Sequence, residues 1–370
     1  MLAVDQVYLR RACELAARGI GNVSPNPPVG AVLVSATGHL IGEGWHHCRG
    51  EAHAEVEALR AAEQAGYASL FAGATLYVSL EPCNHHGRTP PCSEALVAAG
   101  IARVVIGAWD PNPRTAGGGV ARLHAAGILA EVIDDPWAGE LIRCFTVAVR
   151  ERRPYVTLKL AASLDGRIGP RSGSFWLSGP SAQRFVHDLR SEHDAIMVGA
   201  QTLATDNPRL TSRPLRTRRR PCWRVVCCGQ SPPAPQAHVL TPLAHAPSLL
   251  LVPGAFASAY ESLAEQAEIV VIGDRQAKRV DLRGGLAALY EREIASICCE
   301  GGPTLASALL AARLVDRIEW LVAPKLWAHA NAPSALAGTW EHEFPAFSFE
   351  QVIRLGNDVR LTIDLAHTPG

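Results

Sequence analysis

The stretch EPCNHHGRTPPC, residues 81–92, holds Cys83 and Cys92 with eight residues between them, among these His85, His86 and Arg88. Upstream, GEAHAEVEAL places His53 and Glu55 at the start of a helical pattern. One imidazole and two thiolates make a soft donor set suited to tetrahedral zinc, and a set of three leaves the fourth position to water, as catalytic zinc sites do. Cys92 directly precedes SEALVAAG, and a helix N-terminus favours the thiolate over the thiol. A zinc ion bound by His53, Cys83 and Cys92, one per chain, would bring its water to a pKa of about 7, and Glu55 could carry the proton from that water to a leaving amine. Residues i and i+2 of an ideal helix point about 200° apart, so His53 and Glu55 share a site only where the first turn faces a cavity. Each residue taken singly reads as solvated or packed. The order His-x-Glu, then Pro-Cys, then Cys, is the zinc deaminase signature. It usually ends Pro-Cys-x-x-Cys, so the long insert is a departure.

The elements that must position these groups alternate. DQVYLRRACELAARG reads as helix, VGAVLVS as strand, HAEVEALRAAEQAG as helix and ATLYVSL as strand; SEALVAAG, RVVIGA, GGVARLHAAG and ILAEVI then repeat the alternation. This predicts an α/β domain with a central sheet and helices on its faces. VAVRERRPY, residues 147–155, mixes charge with a proline and interrupts the pattern, which places domains at 1–147 and 148–370. Beyond it, strands are expected at YVTLKLAAS, AIMVGA, WRVVCC, SLLLVPG, AEIVVIG, IASICC, IEWLVAPKL and DVRLTIDL, and helices at SAQRFVHDLRSEH, GGLAALYERE and GPTLASALLAARL. The second half is again α/β.

Composition narrows the function classes. Lys plus Arg and Asp plus Glu stand at 35 each, with 19% charged and 48% hydrophobic residues, an ordinary globular balance with no footprint for nucleic acid. No apolar run reaches the roughly 18 residues of a membrane span, and residues 1–30 lack the order of a secretory signal. A cytoplasmic chain without membrane association is expected, and self-association into a homo-oligomer with it. Ten cysteines include the adjacent pairs Cys227–Cys228 and Cys298–Cys299 inside apolar runs, which reads as buried small hydrophobes rather than a disulfide framework.

In the second half no G-x-G-x-x-G follows a strand, against an ordinary Rossmann dehydrogenase. Instead, Glu300-Gly301-Gly302-Pro303-Thr304 joins the strand IASICC to a helix. Such a turn lets backbone amides approach a phosphate, though it is also an ordinary tight strand-to-helix turn. TSRPLRTRRRPC carries Arg213, Arg216, Arg218, Arg219 and Arg220; it is expected as a solvated loop.

Pro82 to Cys92, SPNPPVG and GEAHAEV, followed by VTLKLAASLDGRI, TDNPRL, EGGPTL and APKL, closely resemble the bifunctional riboflavin-biosynthesis deaminase and reductase family over essentially the whole chain. The resemblance implies a cytidine-deaminase-like three-layer αβα domain followed by a dihydrofolate-reductase-like α/β domain. It implies deamination of a small-molecule pyrimidine ribose phosphate, then NADPH-dependent reduction of the ribosyl group to ribityl. The long insert belongs to the family pattern. Asn26, His46, Arg88 and Asn112 match pocket positions, with turn roles open for Asn26 and Asn112 and a packing role for His46. His85 and His86 are surplus to the three ligands. In the second domain the resemblance places Lys159, Ser178, Arg190, Asp206, Asn207 and Glu300 along the substrate and cofactor cleft, Gly301, Gly302 and Thr304 toward the pyrophosphate, and Gly199 beside the nicotinamide; of the basic run only Arg213, nearest TDNPRL, is a candidate substrate contact. Asp206 and Lys159 are candidate proton donors, although Asp206 and Asn207 could simply cap a turn and Lys159 could face solvent. WAHANAPS, residues 327–334, departs from the two glycines that commonly follow APKL in the family. Two other readings remain open, a deaminase of nucleic-acid bases and a zinc-stabilised binding module.

Overall fold

The computed structural model describes residues 3–86, 90–169, 177–213, 218–328, 331–337 and 347–365. Arg88 and Arg216 lie outside the described residues. The chain divides into two compact units, Met1–Arg152 and Arg153–Gly370. Residues 147–155 hold the end of a helix, Arg152 in left-handed backbone at φ 54°, and the start of a strand.

The first unit runs α1 (Ala3–Ala16), β1 (Gly30–Val34), β2 (Leu40–Trp45), α2 (Ala54–Gln64), β3 (Thr75–Val78), α3 (Cys92–Ala99), β4 (Arg103–Ile106), α4 (Gly118–Ala125), β5 (Leu129–Val132), α5 (Pro136–Leu141) and α6 (Arg143–Glu151). Its sheet has the order β2-β1-β3-β4-β5, with β1 antiparallel to both neighbours and β3, β4 and β5 parallel. Side chains alternate across a strand. Ala31 and Leu33 of β1 pack with Ala58, Leu96 and Leu123 from the helices of one face, whereas Val32 and Val34 pack with Ala12 and Leu15 of α1 on the other. This is the three-layer αβα arrangement expected.

Strand β2 is not anticipated by the hydrophobic pattern, because Gly42 and Gly44 read as breakers. Their role is close approach. A Cβ on Gly42 would lie 2.2 Å from the Ala58 carbonyl oxygen, and one on Gly44 would lie 2.4 Å from the Ala58 nitrogen. The bare backbone of β2 therefore lets α2 press onto the sheet, which fixes where His53 and Glu55 emerge. Helices α5 and α6 are also unanticipated; the Asp135 carboxylate caps α5 by accepting from Trp137 N and Ala138 N.

The second unit runs β6 (Tyr155–Ser163), α7 (Pro180–Glu192), β7 (Ala195–Gly199), α8 (Ala200–Asp206), β8 (Trp223–Cys227), β9 (Ser248–Pro253), α9 (Ala257–Tyr260), β10 (Glu268–Ile272), α10 (Leu282–Tyr290), β11 (Ser296–Cys299), α11 (Pro303–Ala311), β12 (Arg317–Ala323), β13 (Gln351–Leu355) and β14 (Asp358–Asp364). Its sheet order is β10-β9-β8-β7-β11-β6-β12-β14-β13. The strands from β10 to β12 are parallel, and the closing pair is antiparallel. Leu158, Met197, Val225 and Leu251 face α10 and α11, while Ile196, Val198, Val226 and Leu250 form a second core on the opposite face.

None of the ten cysteines is in a disulfide. Burial pushes the Cys299 thiol up to about 12, so it behaves as a small hydrophobe. The basic run, expected as a solvated loop, is partly structural: Arg218 Nη1 donates to the carbonyls of Ser191 and, at 2.6 Å, His193, satisfying the end of α7. Among the described residues no helix is long and apolar enough to cross a membrane.

Candidate active sites

In the first unit two helix N-termini converge. His53 is the N-cap of α2 and Cys92 opens α3, so both groups sit where unpaired amides and the helix dipole favour negative charge. Cys83 comes from the loop after β3. The His53 Nδ1 lies 3.3 Å from Cys92 Sγ and 3.6 Å from Cys83 Sγ, and the ligand atoms of His53, Cys83 and Cys92 all fall within 4.8 Å of one another. Two sulfurs and one imidazole nitrogen at this spacing fit tetrahedral zinc in donor type and reach. Glu55 is only 3% exposed and hydrogen-bonded to Cys92. The first turn of α2 thus faces inward, which resolves how residues two apart share one site.

The electrostatics follow from crowding. Burial, then the Cys83 sulfur, pushes the Glu55 carboxyl up to about 7. Two adjacent thiols cannot both ionise cheaply without a cation. Cys83 takes the charge, held well below the usual thiol range by its hydrogen bond with Cys92 and aided by His53, while the Cys92 thiol is pushed up. The Cys92 backbone N–H also donates to Cys83 Sγ at 3.3 Å. Hydrogen bonding to Cys83 raises His53 above its ordinary value.

The pocket beyond these groups measures about 330 Å³, and Asn26, His46, Arg49, His85, Asn112 and Phe145 are among its walls. His46 is 2% exposed. Its Nδ1 faces the Ala52 carbonyl at 3.0 Å, which can only accept, so Nδ1 carries the proton. Nε2 then accepts from Asn26 Nδ2 at 3.3 Å, and the Asn26 oxygen is left as the acceptor it can offer a ligand. Burial lowers the His46 pKa and keeps the ring neutral. Asn112 Oδ1 accepts from Arg114 N at 3.1 Å, a turn role inside the pocket wall. His85 and His86 are both exposed, and His85 is among the residues lining the pocket.

One organising residue escaped sequence reasoning. The carboxylate of Glu81, 5% exposed, accepts from four backbone amides: Asp110, Gly117, Gly119 and Val120. It thereby caps α4 from a distance and folds the loop bearing Asn112 against the loop bearing Cys83. Gly119 completes the contact, since a Cβ there would lie 1.9 Å from the Pro82 oxygen. Ser93 N donates to the Cys83 carbonyl at 3.1 Å, and Ser93 Oγ to Asn84 Oδ1 at 2.8 Å. The only sequence signal was an acidic residue beside Pro-Cys.

In the second unit the structure brings together Lys159, Arg190 and Glu300. Arg190 Nε and Nη2 grip the two carboxylate oxygens of Glu300, the latter at 2.9 Å, and Lys159 Nζ lies 3.8 Å away. Burial alone would raise the Glu300 pKa, but Arg190 and Lys159 outweigh it and hold the group below the usual carboxylate range. His187, one turn before Arg190, was not expected in the site; it feels Arg190, Arg213 and Glu300 electrostatically, and its buried Nδ1 has no hydrogen-bond partner among the described residues.

The remaining expected residues lie at helix ends and turns of the second unit. Asn207 is the left-handed C-cap of α8, and its Oδ1 accepts from His238 N at 2.8 Å. Asp206 ends α8 and is exposed. Ser178 precedes α7 and offers its carbonyl to Gln183. Gly199 caps α8, and Thr304 opens α11 beside Pro303. Of the turn glycines, Gly302 does not present its N–H to the cleft but donates it to Thr202 Oγ1 at 2.9 Å. Gly301 lies against Leu305, which a Cβ would meet at 2.9 Å.

Residues 2–108 match the family described as cytidine and deoxycytidylate deaminase zinc-binding region, and residues 154–361 match the RibD C-terminal domain. The chain is 40% identical over 377 residues to riboflavin biosynthesis protein RibD of Escherichia coli, covering 96% of this chain and 98% of that one. Among solved structures, Acinetobacter baumannii RibD matches with a TM-score of 0.85 at 34% identity, covering 97% of this chain and 98% of that one. A Thermotoga maritima protein described as a diaminohydroxyphosphoribosylaminopyrimidine deaminase and 5-amino-6-(5-phosphoribosylamino)uracil reductase matches with a TM-score of 0.81 at 32% identity and the same coverage. A deaminase zinc-binding region followed by the RibD reductase domain, matched at this identity along nearly its full length, makes this chain a member of the RibD family, the bifunctional deaminases and reductases of riboflavin biosynthesis.

Proposed function

We propose that the first unit hydrolytically deaminates 2,5-diamino-6-(5-phosphoribosylamino)pyrimidin-4-one and that the second reduces the ribosyl group of the product to ribityl with NADPH, giving 5-amino-6-(5-phosphoribitylamino)uracil. The observation that carries the first step is the convergence of His53, Cys83 and Cys92 within 4.8 Å beside a buried Glu55. When bound there, zinc supplies a water acidified to a pKa of about 7. The chain's own groups do the rest. Glu55 takes a proton at its carboxylate and returns it to the departing amine, a transfer suited to a carboxyl poised near neutrality. His46 holds Asn26 in one amide orientation against the pyrimidine edge, and Arg88 supplies the charge for the ribose phosphate.

In the second unit NADPH supplies the hydride. Glu300, clamped by Arg190 and Lys159, sits at the carboxyl end of the parallel strands, where open α/β sheets bind ligands. Arg190 and Arg213 carry the positive charge for the substrate phosphate, Lys159 donates the proton to the reduced sugar, and Gly301 and Thr304 approach the cofactor pyrophosphate. Incubating the zinc-loaded chain with the diaminopyrimidine ribose phosphate and NADPH should release ammonia and oxidise NADPH in sequence. A chelator should stop ammonia release and spare NADPH oxidation when the deaminated intermediate is supplied. Neither ammonia release nor NADPH oxidation with this substrate would overturn the reading.

A further inference from the structure

The loops leaving β6 and β12 are laced together. These strands pair in parallel, Ala323 opposite Ser163, so both chains leave the sheet at its carboxyl edge. Leu164 N donates to the Lys325 carbonyl at 2.9 Å, Ile168 N to Pro333 at 3.0 Å and Ala335 N to Gly166 at 3.0 Å. Arg167 Nη1 adds a bond to the Ala332 carbonyl at 3.0 Å. At the exposed end of this lacing stands Asp165. Its carboxylate accepts from Trp327 N at 3.2 Å, from Ala328 N at 2.9 Å and from Ser163 Oγ at 2.5 Å. Ala328 lies at φ 45°, in the left-handed region that glycine enters freely and a residue with a Cβ does not. Such a backbone persists only where its surroundings over-determine it.

The anchored end of the clasp lies outside the core, which the same segment reaches only further on, at Ala332 and Ala335. Asp165 and Ala328 are exposed, and Leu326 between the strand and the turn is 68% exposed. A charged anchor that holds a left-handed turn at the carboxyl edge of a parallel sheet, where open α/β sheets bind ligands, is explained by what the turn faces. We propose that Asp165 is a positioning residue of the reductase, holding the turn at Trp327 and Ala328 as a wall of the nicotinamide cofactor's cleft. The proposal rests on the reading of the second unit as an NADPH-dependent reductase. Asp165 touches no reacting atom; it acts through the two amides it fixes.

Titration of NADPH against the full chain, followed by cofactor fluorescence, tests this. Asp165→Ala should raise the Kd for NADPH about tenfold, the scale of one charge-assisted hydrogen bond lost. Asp165→Asn, which keeps one acceptor oxygen, should raise it by only about threefold. Adding Ala328→Gly to Asp165→Ala should recover part of the loss, because glycine needs no anchor at this φ. The KM for NADPH should rise in parallel, with an unchanged denaturation midpoint of the second unit as the check of folding. An unchanged Kd in folded Asp165→Ala, or in Asp165→Asn should the alanine variant not fold, overturns the clasp and leaves the reductase reading intact. Failure of the unsubstituted chain to bind NADPH overturns that reading and the clasp with it.

Discussion

In the first unit the reacting groups are delivered by two helix N-termini and one loop, and the ligand atoms of His53, Cys83 and Cys92 meet within 4.8 Å. In the second, the central groups are charged side chains from separate strands and a helix, Lys159, Arg190 and Glu300, which meet because opposite charges satisfy one another. The first site is therefore held by chain geometry and completed by a soft cation. The second is held by charge balance. The two should fail in different ways, and each substitution below should damage one activity and spare the other.

The largest effect is expected for Cys83→Ser, which replaces a soft ligand by a weak neutral donor. Zinc content measured by metal analysis should collapse, and ammonia release should fall beyond the 10- to 100-fold, roughly, that loss of an outer-shell partner brings. NADPH oxidation with the deaminated intermediate should persist. Glu300→Ala comes next. It leaves Arg190 and Lys159 largely buried and without their counter-charge, a cost of about 3–5 kcal/mol, visible as a lower denaturation midpoint of the second unit and loss of NADPH oxidation with deamination retained. Gly119→Ala drives a Cβ toward the Pro82 oxygen; relief of such overpacking costs about 1–3 kcal/mol, and it should appear as faster zinc loss to a chelator, because the displaced segment carries Cys83.

The smallest effect is pH-dependent. Arg190 and Lys159 overcome the burial of Glu300 and hold its folded-state pKa low. The resulting stabilisation is fully present above the unfolded value of about 4.3 and is lost as pH falls through the lower folded value. The difference in denaturation midpoint between the unsubstituted chain and Glu300→Gln should therefore narrow on acidification. A gap that stays constant would show that charge balance does not hold this site.

The deaminase groups were legible because their chemistry demands particular residue types in a particular order, and His53, Glu55, Cys83 and Cys92 have few other reasons to occur together. The helices and buried strands were legible from periodicity, Ala31 and Leu33 against Val32 and Val34 among them. What could not be read are roles played through the backbone. Glu81 acts by gathering four amides from a loop about 30 to 40 residues away, and Gly42, Gly44 and Gly119 act by what they lack. No spacing rule encodes such contacts. The second site was legible only by resemblance, since Lys159 and Glu300 stand far apart in the chain and their meeting depends on β6 and β11 being neighbours. The same reasoning misjudged Arg218 as solvated, because its carbonyl partners at the end of α7 appear only once the chain has folded back.

The claim that two sites with separate chemistry share this chain is tested most directly by Glu55→Gln, with zinc per chain, ammonia release and NADPH oxidation measured on one preparation. Glutamine keeps the size of the buried side chain but cannot carry the proton. Zinc should remain at one per chain, ammonia release should fall by about 10²–10⁴-fold, and NADPH oxidation with the deaminated intermediate should match the unsubstituted chain. Ammonia release at the original rate, with zinc retained, would contradict it.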